Sequence, residues 1–454
     1  MKRWTIWWTV SKKFSKKKLD EVIGLANLEV LKKSIFDGDY DPVLEELYGR
    51  DNHAVDKQKT RYLTLIQKFE TLFPDVKEAR IFSTPGRTEI GGNHTDHNGG
   101  HILAAAVDMD VLAVVSAADN DDKITIHSIG YPVFEIQLSE LAYKREEKYT
   151  SVSLIKGICF KMKELGYRVG GFKAVITSDV LKGSGLSSSA AFEVEIVHIL
   201  NCLYNHGKIT PIEIAKIAQY AENKFFGKPC GLMDMTACAA GGFVMVDFKD
   251  FEYPSIKKVS LSFEHYGYTM LIVDTGGDHS NLNEDYEAIE TEMKSVARFF
   301  GKSVLIDINK DQVVTSVGEL RRNVGDRAVL RAIHFFDDDD RVLKMTEAIE
   351  SEDIKAFLNN IQLSGDSSWK LCQNCYSGRM VHHQGIPVAL EISRYLLNGD
   401  GAFRVHGGGF AGTVQIIVPL TKKDFFIEEI KNIFGRSSVY PIRVREAGCM
   451  ELFV

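Results

Sequence analysis

The run Gly183-Ser184-Gly185-Leu186-Ser187-Ser188-Ser189-Ala190 joins a strand candidate to a helix candidate. A helix N-terminus presents unpaired backbone N–H groups and the positive end of its dipole, so it attracts phosphate. Gly183 and Gly185 allow the backbone to come close to a ligand and to adopt positive φ. The hydroxyls of Ser187, Ser188 and Ser189 can bind phosphate oxygens or a divalent cation. The run lacks the Gly-Lys-Ser/Thr ending of a Walker A loop, so it is not a P-loop. Taken alone, it reads equally well as a serine-rich helix cap after a turn.

A second segment reads Pro85-Gly86-Arg87-Thr88-Glu89-Ile90-Gly91-Gly92-Asn93-His94-Thr95-Asp96-His97-Asn98-Gly99-Gly100. It sets side chains able to bind hydroxyls on a glycine-rich backbone, which suits recognition of a polyol. A carboxylate such as Asp96 accepts two hydroxyl protons at once, and Asn or His both donates and accepts. The plain alternative is a polar surface loop. The spacing within His94-Thr95-Asp96-His97 matches no common zinc pattern. A third segment, Arg404-Val405-His406-Gly407-Gly408-Gly409-Phe410-Ala411-Gly412, precedes a strand candidate. Its glycine triplet permits close approach to a ligand or another segment, and a tight turn explains it equally well.

The elements that must position these segments follow from periodicity. Phe172–Ser178 is a strand candidate leading into the serine run. Ala191–Tyr204 is a helix candidate with Phe192, Ile196, Ile199 and Leu203 on one face. Val111–Ala117 and Lys123–Ser128 read as strands joined by the turn-forming cluster Asp119-Asn120-Asp121-Asp122. Residues 1–78 are rich in Lys, Glu and Leu, and Tyr62, Ile66 and Phe69 recur at helical spacing. They read as a helical N-terminal extension. From about residue 265 a second α+β region begins. In it Thr269–Val273 and Thr413–Val418 read as strands, and Glu284–Phe300, Arg341–Asn359 and Lys423–Ile433 as helices. The acidic run Asp337–Asp340 reads as a solvated loop or helix start with no function.

The chain has 454 residues, 44% hydrophobic and 26% charged, as an ordinary globular protein of two or three domains has. A net charge of −7 argues against nucleic acid as the main partner. The seven scattered cysteines suit a reducing compartment. The single C-x-x-C, Cys372 and Cys375, has no second pair for a metal site. The apolar stretch 102–118 is interrupted by Asp108 and Asp110 and is no membrane span. The short apolar run Trp4–Val10 has no cleavage site after it, so a cytoplasmic location without membrane association is expected.

The three segments, in this order and at these separations, resemble the GHMP kinase superfamily, and within it the galactokinase family. The galactokinase signature reads roughly Gly-Arg-x-Asn-x-Ile-Gly-Glu-His-x-Asp-Tyr-x-x-Gly. The resemblance covers about residues 75–454. It implies an α+β, two-domain GHMP kinase fold: an N-terminal domain like the second domain of ribosomal protein S5, over 79–262, and a ferredoxin-like C-terminal domain, over 263–454. It also implies phosphorylation of the anomeric hydroxyl of galactose by ATP with Mg²⁺, in a cleft between the domains, with no obligate protein partner. Gly183, Ser184, Gly185, Leu186, Ser187, Ser188 and Ser189 would hold the nucleotide phosphates. Ser189 and Glu222 would hold the metal. Cys230-Gly231-Leu232-Met233-Asp234 resembles the segment that carries the family's catalytic aspartate, so Asp234 becomes the candidate base. Arg87 falls on the active-site arginine. An arginine beside Asp234 would keep it ionised and offset charge on the transferring group. Asn93, His94, Thr95 and Asp96 would form the sugar-binding loop, and Tyr286, seven residues after His279, falls on a sugar-contacting tyrosine.

The departures bear on the sugar. Asn93 replaces the glutamate that contacts the sugar near C6, Glu89 replaces an asparagine, His97 replaces a tyrosine, and Ala411 replaces a glycine. A neutral Asn93 can still bind a hydroxyl and would also remove repulsion against a C6 carboxylate. Galacturonate and N-acetylgalactosamine are therefore the alternative substrates. A sugar sensor without turnover is the alternative from another class. The intact Ser189-Ala190, Asp234 and Arg87 speak against it.

Overall fold

The computed structural model describes residues 26–118, 122–181, 185–228, 230–277 and 282–453. Gly183, Ser184, His279, the turn residues Asp119-Asn120-Asp121 and the N-terminal run Trp4–Val10 lie outside them.

Three helices lead in: α1 (Leu28–Asp37), α2 (Asp41–Tyr48) and α3 (Asn52–Leu72), after the short strand β1 (Ala26–Asn27). They are followed by β2 (Glu78–Gly91), β3 (His101–Ala117), β4 (Lys123–Ser128), β5 (Phe134–Gln137), α4 (Ser151–Glu164) and β6 (Phe172–Ser178). Next come α5 (Ser188–Tyr204), α6 (Pro211–Ala221), α7 (Met233–Ala240), β7 (Phe243–Asp247) and β8 (Ser255–Val259). These strands form one sheet of order β1-β2-β3-β6-β4-β5, with β7 also on β3 and β8 on β7.

Alternation along β3 shows how the sheet is covered. Val111, Ala113 and Val115 face the core under α4, α5 and α6, while Leu112 and Val114 face the core built by α1–α3. Because both faces are buried, the strand reads as a continuous apolar run. Tyr62, Ile66 and Phe69 of α3 are at most 1% exposed. Each such side chain contributes about 1.5–3 kcal/mol on burial. Strand β3 begins ten residues before the expected Val111, because Asp108 and Asp110 continue it. Strand β4 pairs with β5 and, in parallel, with β6, not with β3.

The second half holds β9 (Tyr268–Asp274), α8 (Asn283–Phe299), α9 (Lys310–Thr315), α10 (Val317–Asn323), α11 (Asp326–Glu350) and α12 (Ile354–Ser367). It continues through α13 (Gly385–Leu397), β10 (Ala402–Val405), β11 (Thr413–Pro419), α14 (Lys423–Phe434), β12 (Val439–Ile442) and β13 (Met450–Leu452). A four-stranded antiparallel sheet, β10-β11-β9-β12, is covered by α13 and α14. Strand β13 returns to the first sheet and pairs with β2. The segment expected as one helix over 341–359 is two helices, broken at Ser351–Asp353, where Glu352 has a φ of 58°. The acidic run Asp337–Asp340, expected in a loop or at a helix start, lies in the middle of α11, and Asp338 is fully buried. Among the described residues no helix is long and apolar enough to cross a membrane.

Candidate active site

Strand β2 bulges between Pro85 and Arg87, so its ladder to β3 is interrupted there. A bulge re-aims the side chains beside it. The Arg87 N–H leaves the ladder and donates to the Leu186 carbonyl at 3.0 Å. Its guanidinium reaches Asp234 at the start of α7, with Nε and Nη2 each 2.7 Å from Oδ1, and Nη1 donates to the Gly185 carbonyl. Ser187, just before α5, has a φ of 56°, and its hydroxyl donates to Asp234 Oδ2 at 2.5 Å. Arginine, aspartate and serine loop are thus one hydrogen-bonded unit. Burial works against the charged form of Asp234, but the Arg87 guanidinium and the Ser187 hydroxyl outweigh it and hold the carboxyl below its ordinary value.

The serine loop divides by role. Leu186 is fully buried in the core and Ser187 is committed to Asp234. Ser188 and Ser189 face a cavity of about 1600 Å³, together with Glu193 and Glu222. Ile129, Tyr131, Phe134, Val152, Ile176 and Phe192 add apolar side chains to its lining. Gln58 and Lys57 of α3 line it too. A pocket that combines hydroxyls and carboxylates with aromatic and aliphatic side chains suits a nucleotide.

Glu222 is 2% exposed and pairs with Lys228 at 3.3 Å. Glu193 is 1% exposed, and neither of its carboxyl oxygens has a hydrogen-bond partner. Burial, with Glu222 nearby, pushes Glu193 well above the usual carboxylate range. A buried carboxyl without a partner is satisfied by a proton or by a hard cation. Sequence reading missed Glu193, although its place four residues after Ser189 on a helix puts both on one face.

The sugar-loop residues part company. His94 has a φ of 61°, and its Nε2 donates to the Gly408 carbonyl at 3.0 Å. Tyr286 donates to the Gly409 carbonyl at 2.8 Å and stands edge-on to Phe410. Its ring lies so close to Gly408 that a Cβ there would come within 2.7 Å of it. The glycine triplet therefore serves close approach by Tyr286 and His94. Asp96 stands over Gly231, where a Cβ would come within 2.5 Å of its Oδ2. Gly231 lies three residues before Asp234, so Asp96 stands beside the turn that leads into Asp234. Burial pushes the Asp96 carboxyl up. His94, Asp96, Tyr286 and Asp234 are thus gathered around the glycine triplet and the Gly231 turn.

Asn93 and Thr95 point elsewhere. Asn93 is 1% exposed and its amide is fully used within the protein. Nδ2 donates to Glu89 Oε1 at 2.9 Å and to the Gly407 carbonyl at 2.8 Å. Oδ1 accepts from Asn374 at 2.7 Å and from Ser368 at 3.2 Å. Glu89 is in turn paired with the buried Arg404 at 2.7 Å. The Thr95 hydroxyl lies 2.8 Å from the Gly92 carbonyl and 2.6 Å from that of His101, inside the loop. Both side chains are hydrogen-bonded within the protein, where they shape the loop.

The chain is similar to known proteins in both sequence and fold. Residues 67–117 match the model of the galactokinase galactose-binding signature, and residues 153–242 that of the GHMP kinases N-terminal domain. The galactokinase of Glaesserella parasuis is 30% identical over 368 residues, 78% of this chain and 89% of the relative. That of Streptomyces coelicolor is 27% identical over 393 residues, covering 85% of this chain and 96% of the relative. The fold resembles that of Lactococcus lactis galactokinase complexed with galactose, with a TM-score of 0.73 at 21% identity over 85% of this chain and 98% of that one. It also resembles mevalonate kinase, with a TM-score of 0.55 over 80% of this chain and 98% of that one.

Proposed function

The chain belongs to the galactokinase family and is an ATP-dependent sugar kinase, and on that premise we propose that it transfers the γ-phosphoryl group of ATP to the anomeric C1 hydroxyl of galactose. The observation that carries this reading is the hydrogen-bonded unit Arg87–Asp234–Ser187, which ties the phosphate-facing loop to an ionised carboxylate beside the sugar loop.

In this reading Ser188, Ser189 and the first turn of α5 receive the nucleotide phosphates, and the apolar cavity wall receives the base. His94, Asp96 and Tyr286 orient the sugar. Asp234 stays ionised because of Arg87, and its Oδ2, which accepts only from Ser187, keeps a lone pair for the attacking hydroxyl. A carboxylate with a lowered pKa is a weak base, so it first orients the hydroxyl and takes the proton late, as the forming O–P bond acidifies that oxygen. Arg87 offsets negative charge near the transferring group, the larger contribution in a reaction governed by positioning and electrostatics.

Ser189, Glu222 and Glu193 are oxygen donors lining the same cavity, and both Glu193 carboxyl oxygens are unpartnered, so they fit Mg²⁺. Among the described residues no cluster of three or more His, Cys, Asp or Glu is arranged to hold a metal by itself. Ser189 and Glu222 would hold the ion, with the remaining ligands coming from phosphates and water. When bound, Mg²⁺ neutralises phosphate charge and draws electron density from the transferring group.

Asn93 has no free hydrogen-bonding group, so it gives a C6 carboxylate no preference over a C6 hydroxyl. The test is ADP release with galactose, galacturonate and N-acetylgalactosamine, with ³¹P NMR on the product. Galactose should give the highest kcat/KM and a 1-phosphate. A higher kcat/KM on galacturonate would sink the galactose assignment. Nucleotide binding without turnover of any sugar would favour a sensor.

A further inference from the structure

The acidic run Asp337-Asp338-Asp339-Asp340 on α11 stands outside the chemistry described so far, yet two of its members touch the loop that carries His94 and Asp96. Asp338 is fully buried. Its Oδ2 accepts the backbone N–H groups of Gly92 at 3.2 Å and Asn93 at 2.9 Å, and the Ser364 hydroxyl at 3.1 Å. Its Oδ1 faces Arg341 at 3.3 Å. Two consecutive N–H groups beside a residue with positive φ make a cradle for an anion, and the φ of Gly92 is 85°. Asp339 binds the other end of the loop. Its Oδ1 accepts the His101 N–H at 2.6 Å and lies 2.9 Å from His101 Nδ1. Gly100 leaves room for it, since a Cβ there would come within 2.8 Å of Asp339 Oδ1. One turn earlier on α11, His334 Nε2 donates to the Asn93 carbonyl at 2.8 Å, while its Nδ1 faces the Ser367 hydroxyl at 2.8 Å.

We propose that Asp338 and Asp339 are positioning residues that clamp the two ends of the loop Gly92–His101, so that α11, from the second half of the chain, sets where His94 and Asp96 stand. The clamp acts on the backbone, so it holds the loop whatever side chains the loop carries. Its consequence for sugar binding rests on the kinase reading above. Loss of an anchor should loosen the loop by a fraction of an ångström or more, and misplacement on that scale weakens productive binding by about ten- to a hundredfold. The nucleotide meets α5 and the apolar cavity wall, which α11 does not touch in this way.

The variants are Asp338→Asn, Asp338→Glu and Asp339→Asn, in the full chain. Asp339 is 16% exposed, so a change there disturbs packing less than one at the fully buried Asp338 and gives the second, milder variant. Amide hydrogen exchange over residues 92–101 needs no substrate. Faster exchange there in Asp338→Asn and Asp339→Asn, with the rest of the first sheet unchanged, is expected. Sugar KM should rise about tenfold or more, with ATP KM within about twofold, and Asp338→Glu should restore part of the loss. Unchanged exchange in Asp339→Asn, or sugar and ATP KM rising together with a general loss of thermal stability, would overturn the clamp. The parent's own turnover of galactose tests the kinase reading separately, because the clamp is judged on exchange and on differences between parent and variants.

Discussion

At the scale of single residues, the Arg87–Asp234 pair makes a definite statement about pH. The folded-state pKa of Asp234 is depressed, so the pair's contribution is present above the unfolded value near ~3.9 and is lost only as pH falls through the lower folded value. Sugar-kinase activity should therefore show no acid limb from Asp234 above about pH 4. In Arg87→Met, burial of Asp234 is no longer outweighed by a guanidinium, so its pKa rises and the acid limb of kcat/KM moves upward into the measurable range. A pH–rate profile of that variant with an unmoved acid limb would show that Asp234 does not carry the proton. Asn93 gives a second prediction. Placing a carboxylate there with Asn93→Glu sets like charges together in a buried site and turns an oxygen toward the Gly407 carbonyl. The expected loss is about 3–5 kcal/mol in urea unfolding, the cost of an uncompensated buried charge. In Glu89→Asn/Asn93→Glu the amide and carboxylate exchange places, as in the galactokinase signature, and more than half of that loss should return. Two independent, additive losses would show that positions 89 and 93 are not coupled.

At the scale of elements, what could be read from the chain was whatever depends on neighbours in sequence. Phe172–Ser178 is a strand over the expected residues, and α3 buries Tyr62, Ile66 and Phe69 as their spacing requires. The first ten residues of β3 and the course of α11 were hidden because their acidic residues find partners far away. Asp110 meets Arg61 and Arg445, and Asp338 meets the backbone of Gly92 and Asn93, contacts that no local pattern displays. The site was legible in the same uneven way. The resemblance to a family's motifs named Arg87, Asp234 and Ser189 as candidates, but gave no sign that Asn93 is spent on Glu89 and the glycine loop. The start of α5 shows how finely a helix end is set. Ser187 holds a left-handed backbone that costs a non-glycine residue about 1–2 kcal/mol and also supplies a hydroxyl to Asp234. Ser187→Gly relieves the strain and keeps the loop, so ATP KM should change less than about threefold while the acid limb shifts slightly upward. Ser187→Val cannot hold that backbone, so ATP KM should rise about tenfold with a lower Tm. Steady-state kinetics showing equal ATP KM in both variants would remove backbone geometry as the reason for this residue.

At the scale of the whole molecule, one buried carboxylate joins the helical extension, the first sheet and the chain's end. Asp110 on β3 has no exposure, and its Oδ1 lies 2.6 Å from Arg61 of α3. Its Oδ2 accepts from Tyr48 of α2 at 2.5 Å, from Ser83 of β2 and from Arg445 at 3.1 Å. Burial would push this carboxyl up, but Arg61 and Arg445 outweigh it and hold it below its ordinary value. The same helices present Tyr48 and Gln58 to the cavity that Ser188 and Ser189 also line, so the hub stands beside that cavity. Arg61→Met removes one of two cations and leaves the apolar contacts of α3 in place. Asp110 then keeps a single arginine against the full cost of burial, so the expected destabilisation is about 3–5 kcal/mol in urea unfolding. The sign of the pH effect follows. A depressed folded pKa means stability that is lost as pH falls through it, and removing Arg61 raises that pKa, so acid unfolding should begin at higher pH in the variant. Tyr48→Phe removes only a hydroxyl bound to a charge and should cost about 1.5–3 kcal/mol. If Arg61→Met cost less than Tyr48→Phe and left the acid-unfolding midpoint unmoved, Arg445 alone would balance Asp110, and α3 would be held to the sheet by its apolar face alone.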